Sequence, residues 1–199
     1  IQRQKIINKE HLIEDEIEEC LALINEIKGC CGEVYAIESN HDIFLDRHIN
    51  DAQWKKDLHN SPAYLKLAYI QQTINLREYG NILGYLIHER FGDSVNYVKM
   101  GDSLYISDYQ CGQHNDFGAN GSKGSTKGFG RMNLKLIGGH SHSPMLYNNV
   151  TTVVVTANLE QWYNRKGLSS WAYAHSVVHN NGKNQLLVFN DDYSLSGLI

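Results

Sequence analysis

Two short apolar runs in this chain each end in a polar turn that carries histidine. Val34 to Ile37 leads into Ser39-Asn40-His41-Asp42, and Leu134 to Ile137 leads into Gly139-His140-Ser141-His142. A short, mostly apolar run bounded by turn formers reads as a buried strand. A strand that ends in imidazoles delivers them to the rim of a core, where a ligand can reach them. Neutral imidazoles and an Asn amide oxygen hold divalent metals at about 2.0–2.2 Å when carboxylates supply the remaining ligands and the negative charge. Metal-assisted chemistry is therefore the expectation.

With 199 residues, 42% of them hydrophobic, the chain can bury a sizeable core, and it reads as a single domain over residues 1–199. A net charge of −4 excludes global attraction to nucleic acid or to an anionic membrane, so any phosphate binding must be local. Cys20, Cys30, Cys31 and Cys111 show no Cys-x-x-Cys spacing and read as reduced thiols, which points to the cytoplasm. No apolar stretch approaches the ~20 residues a bilayer span needs, so no membrane partner is expected. The chain starts at Ile1 rather than methionine.

Along the chain, Ile6, Ile13, Ile17, Leu21, Ile24 and Ile27 recur at helical spacing, which predicts an amphipathic helix from about Gln2 to Lys28. Glu33 to Ile37 follows as a strand. Ser61 and Pro62 predict an N-cap and first turn for a helix running to about Leu76, and Tyr79 to Phe91 predicts another. Beyond Gly92 strands are expected at Val95–Met100 and Leu104–Tyr109 with a turn at Gly101 and Asp102. Leu134–Ile137 reads as a further strand, Met145–Val155 as a hairpin around Asn148 and Asn149, and Trp171–Asn190 as a hairpin closed by Asn181 and Gly182. Gly112 to Gly130 holds six glycines with Lys123 and Lys127, Arg131 following, and reads as a long irregular loop whose backbone N–H groups and cations could hold phosphates.

In order, Asn40-His41-Asp42, His114-Asn115-Asp116-Phe117-Gly118 and Gly139-His140-Ser141-His142 resemble the second half of the calcineurin-like metallophosphoesterase signature. That signature runs Asp-x-His, Gly-Asp-x-x-Asp, Gly-Asn-His-Asp/Glu, a lone His often followed by Gly, and Gly-His-x-His. The resemblance implies an α/β sandwich of two mixed sheets flanked by helices, with the N-terminal strands of one sheet missing. It implies two divalent cations, Mn²⁺ as the expected working metal with Fe, Zn or Ni also suited. Asn40, His114 and His140 would bind one cation and His142 the other. His41 would stand beside the scissile phosphate as general acid or as a donor to the transition-state oxygens, oriented by Asp42. The first turn followed by Phe44-Leu45-Asp46-Arg47, together with the Gly-rich loop and Gly-His-Ser-His-Ser-Pro ending at Pro144, is also similar to phage-encoded members of the T5 DNA-transfer type, for which the cytoplasm would be the host's.

Three departures stand out. Ser39 occupies the usual glycine position before Asn40, and Asn115 the glycine position after the lone histidine. The Asp-x-His and Gly-Asp-x-x-Asp motifs that supply an Asp, a His and the bridging Asp are not found ahead of Asn40; Asp46-Arg47-His48 and Asp57-Leu58-His59 share the spelling but follow it. An N-terminal segment or a companion polypeptide is expected to supply those ligands, because Asn40 and three histidines add no negative charge to balance two cations. The expected function is hydrolysis of phosphodiesters in DNA, with Lys123, Lys127 and Arg131 meeting its backbone. Alternatives are a phosphomonoesterase and a non-catalytic scaffold on a decayed phosphoesterase fold; homo-oligomerisation stays open. His175 and His179 read as a half-exposed strand face, and Trp54, Trp162 and Trp171 as packing residues.

Overall fold

The computed structural model describes residues 12–153, 159, 168–190 and 194–198. Two compact units make up the chain, Ile1–Lys99 and Met100–Ile199. The architecture is mixed α/β, with three sheets among the described residues.

The first unit opens with helix α1, Ile13–Cys30. Its first turn carries Glu14, Asp15 and Glu16 and its last Lys28, which suits the helix dipole. Ile17, Leu21 and Ile24 face the core as their spacing requires, whereas Ile27 stays exposed. The start expected at Gln2 lies outside the described residues. Strand β1, Tyr35–Ile37, follows. It pairs in parallel with β2, Asn96–Val98, in the register Ala36 to Tyr97. A parallel pair needs a long crossover, and here four helices supply it: α2 (Asp42–Asn50), α3 (Ser61–Thr73), α4 (Leu76–Tyr79) and α5 (Ile82–Phe91).

Two helix boundaries depart from the sequence reading. Asn60, not Ser61, caps α3, and its Oδ1 accepts from the Ile13 N–H 3.0 Å away, tying α3 to α1. The helix expected over Tyr79–Phe91 breaks at Gly80, which sits at φ +87°, and restarts where the Asn81 side chain caps Gly84. At Gly84 the α5 backbone lets the Tyr97 ring approach; a Cβ there would lie 2.1 Å from the Tyr79 carbonyl oxygen and 2.8 Å from the ring. Ile49, Tyr64, Leu67 and Ile82 form one buried cluster, against which Trp54 packs as expected, and Leu21, Ile87 and Val95 form another. Because Ile82 is fully buried, Ile82→Val is expected to cost about 1 kcal/mol, read as a lower denaturant midpoint at unchanged m-value.

In the second unit, β3 (Tyr105–Ile106), β4 (Tyr109–Gln110), β5 (Leu136–Gly138), β6 (Met145–Tyr147) and β7 (Val150–Thr152) form a mixed sheet in the order β3-β4-β5-β7-β6. The strand expected over Leu104–Tyr109 is instead this β3–β4 hairpin, turning through left-handed Ser107. The hairpin around Asn148 forms as expected, with Asn148 at φ +53°; Val155 lies outside the described residues. β8 (Tyr173–Val178) and β9 (Asn184–Phe189) form the hairpin closed by Gly182, and β10 (Leu195–Leu198) adds to β9. His175 is exposed on this sheet, and the His179 ring meets the Gln185 side chain at 3.0 Å, an ordinary strand surface.

The Gly112–Gly130 stretch is more ordered than a bare loop. Phe117 bridges to Lys123, and Ser125 caps the short helix α6, Thr126–Phe129, by accepting from the Gly128 N–H. Thr126 and Phe129 are buried, and the Thr126 hydroxyl meets that of Thr152 at 2.7 Å. Anchored apolar and hydroxyl side chains thus hold what glycine content alone suggested would be irregular.

Candidate functional site

In the first unit, the Ser39-Asn40-His41-Asp42 turn connects β1 to α2. The Ser39 hydroxyl accepts from the His41 and Asp42 N–H groups at 3.2 and 3.3 Å. In return the Asp42 carboxylate accepts from the Ser39 N–H at 3.0 Å and the Ser39 hydroxyl at 2.7 Å. This is the reciprocal pattern of a capping box, and it explains why serine replaces glycine here: the hydroxyl is a structural part of the turn. Asp42 therefore fixes the turn that presents His41.

Behind the turn lies a buried polar network. The Tyr97 hydroxyl donates to Asp42 at 2.9 Å and accepts from the Asn81 amide at 2.7 Å, and the same amide donates to Glu38 at 2.8 Å. Burial, reinforced by the negative charge of Asp42, pushes the Tyr97 phenol far above its ordinary value, so it remains a donor. Burial likewise raises the Asp46 carboxyl, against hydrogen bonds from the Ile82 N–H and the Gln71 amide. Tyr97→Phe leaves Asp42 and Asn81 each short of one bond and is expected to cost about 1–2 kcal/mol, measured by chemical denaturation.

In the second unit, the structure brings His114 and His140 together. His140 Nδ1 and His114 Nε2 lie 3.3 Å apart, with ring centroids 5.1 Å apart and planes at 81°. Two ligands of one tetrahedral cation, each about 2.05 Å from it, stand about 3.3 Å apart, so this pair fits one edge of a metal polyhedron. His142 meets Trp171 edge-on, centroids 4.2 Å apart. Sequence reasoning missed that contact because it joins residues distant in sequence; Trp162 lies outside the described residues. Among the described residues no group of three or more His, Cys, Asp or Glu side chains is gathered for a metal. Two imidazoles alone make at most part of a cation's ligand set.

The backbone around these histidines is unusual. His140 and His142 stand at φ +72° and +57°, and Asn115 at +74°. Left-handed backbone costs a non-glycine residue about 1–2 kcal/mol, least for Asn, and such strain collects at functional sites. Asn115 thus holds the conformation that favours glycine, which accounts for that departure. Its side chain is buried and lies so close to Gly138 that a Cβ there would come within 2.0 Å of Nδ2; a Cβ at Gly124 would come within 1.9 Å of the Asn115 carbonyl oxygen. Lys123, Lys127 and Arg131 are exposed on and beside α6. The four cysteines are free thiols, and burial raises those of Cys20 and Cys111. No helix among the described residues is long and apolar enough to cross a membrane.

No family model matches this chain, and no solved structure matches it. The chain is 34% identical over 166 residues to Protein A1 of Escherichia phage T5, an alignment that covers 80% of this chain and 30% of that protein. It therefore spans less than a third of that relative's length, and what it is similar to is a phage protein.

Proposed function

We propose that this polypeptide provides part of a binuclear-metal phosphoesterase acting on phosphodiesters of DNA, with the sandwich fold that the metallophosphoesterase resemblance implies. The observation that carries the reading is the 3.3 Å approach of His140 Nδ1 to His114 Nε2 on strained backbone. The two imidazoles are within hydrogen-bonding distance of each other, and the same separation suits two ligands of one cation. His114 and His140 would serve one cation and His142, steadied by Trp171, the other. When bound, such cations supply a nucleophilic water and neutralise charge on the phosphoryl oxygens, with Mn²⁺ the proposed metal. His41 would give a proton to the leaving oxygen, from a turn that Ser39 and Asp42 lock. Lys123, Lys127 and Arg131 would meet the DNA backbone. The carboxylates the reading requires come from polypeptide outside these 199 residues.

The test uses the whole protein that carries these 199 residues and compares linear duplex and single-stranded DNA with a nitrophenyl phosphate monoester, each with added Mn²⁺, alongside calorimetric titration of Mn²⁺. Cleavage of DNA without release from the monoester is the expected result. Release from the monoester alone would make the protein a phosphomonoesterase. No metal binding, even with the whole protein, would leave a non-catalytic scaffold.

A further inference from the structure

Helix α2 leaves one aromatic ring in solvent next to the proposed proton donor. Phe44 is 46% exposed. Its ring centroid lies 5.2 Å from that of His41, planes at 52°, and the Arg47 guanidinium carbon lies 5.5 Å from the same ring. Residues three apart are neighbours on a helix surface, so positions 41, 44 and 47 form one continuous stripe. Leu45 and Ile49 of the same helix turn inward to the core, so the core does not use Phe44. Single exposed apolar side chains are ordinary; this one differs in standing between an imidazole and a guanidinium.

We infer that Phe44 and Arg47 form a stacking subsite for the nucleobase that adjoins the scissile phosphate, with Arg47 also meeting a neighbouring phosphate. The inference rests on the phosphodiesterase reading and deepens it by naming the substrate as single-stranded or unpaired DNA. Aromatic side chains bind bases through a face that a base inside a duplex does not offer, and they do so without regard to sequence. A guanidinium adds cation–π attraction and charge. The chain's net charge of −4 gives no general pull on DNA, so a local aromatic and cationic stripe is what would hold a strand near His41.

The experiment measures fluorescence anisotropy of the protein without metal, using a labelled thymidine oligomer of about ten nucleotides, an abasic oligomer with the same phosphates, and a duplex of the same length. Base stacking is strong enough that the thymidine oligomer is expected to bind about tenfold more tightly than the abasic one. Phe44→Ala removes that gap and leaves abasic affinity unchanged, Phe44→Trp keeps it, and Arg47→Ala weakens both oligomers and lowers the salt slope by about one. Equal affinity for the two oligomers, a gap that survives Phe44→Ala, tighter binding of the duplex, or no binding at all would each overturn the inference. DNA cleavage without base-dependent binding removes the subsite and keeps the phosphodiesterase reading. Base-dependent binding without any hydrolysis removes that reading and keeps the subsite.

Discussion

His41→Ala is expected to lower kcat on DNA by about 10²- to 10⁴-fold, the usual contribution of a positioned general acid, while leaving Mn²⁺ binding unchanged. The leaving group decides how the loss should distribute. A deoxyribose alkoxide is a poor leaving group and needs a proton, whereas nitrophenolate departs without one. Turnover of a bis-nitrophenyl diester by the same variant should therefore fall by less than about tenfold. Equal losses on both substrates would assign His41 to transition-state binding or to structure and remove its role as acid. The structural reason to single out His41 is the turn beneath it. Ser39 and Asp42 hold each other through four hydrogen bonds between 2.7 and 3.3 Å, counting those to the His41 and Asp42 N–H groups. That frame is retained when the imidazole is deleted.

Gly138→Ala should be the most destabilising of the single substitutions considered for the second unit. A methyl group there would lie 2.0 Å from Asn115 Nδ2, 2.5 Å from its Cγ and 2.8 Å from the Gln113 carbonyl oxygen. These contacts are too short to be absorbed by a rotamer change, because the Asn115 side chain is itself buried. Overpacking of this kind costs about 3 kcal/mol, which for a unit of roughly a hundred residues lowers Tm by about 10–20 °C. Asn115→Gly should rescue more than half of the loss in the double variant, since glycine accepts the φ of +74° and vacates the contested space. Strictly additive effects would mean that the clash is relieved elsewhere. The Gln113–Asn115 segment carries His114, and Gly138 lies two residues before His140, so the same substitution should weaken metal binding.

Local chemistry made much of this fold legible. The β6–β7 and β8–β9 hairpins follow from Asn148-Asn149 and Asn181-Gly182 between apolar runs, and the core face of α1 from its isoleucine spacing. The parallel pairing of β1 with β2 was not legible, because no periodicity in Val34–Ile37 names a partner that begins at Asn96. The turn at Ser107 was hidden because Gly101-Asp102 is the stronger local signal, while Ser107 takes φ +57° without glycine's advantage. Asn60 was passed over as a cap because the neighbouring Ser-Pro pair is the commoner signature, and its contact with Ile13 crosses 47 residues. At the candidate site the residue types were legible and their surroundings were not. The Ser39–Asp42 reciprocity follows a readable Ser-x-x-Asp spacing, but the Tyr97–Asn81–Glu38 network and the Trp171 ring against His142 depend on tertiary neighbours.

The left-handed backbone at His140 and His142 has a bearing on how this protein can be improved. Glycine at either position would relax the main chain and add heat resistance on the order of 1 kcal/mol, at the expense of an imidazole. A library selected only for survival at high temperature would thus drift toward glycine there and discard the two imidazoles that the proposed chemistry uses. Selection for robustness should hold these two codons fixed.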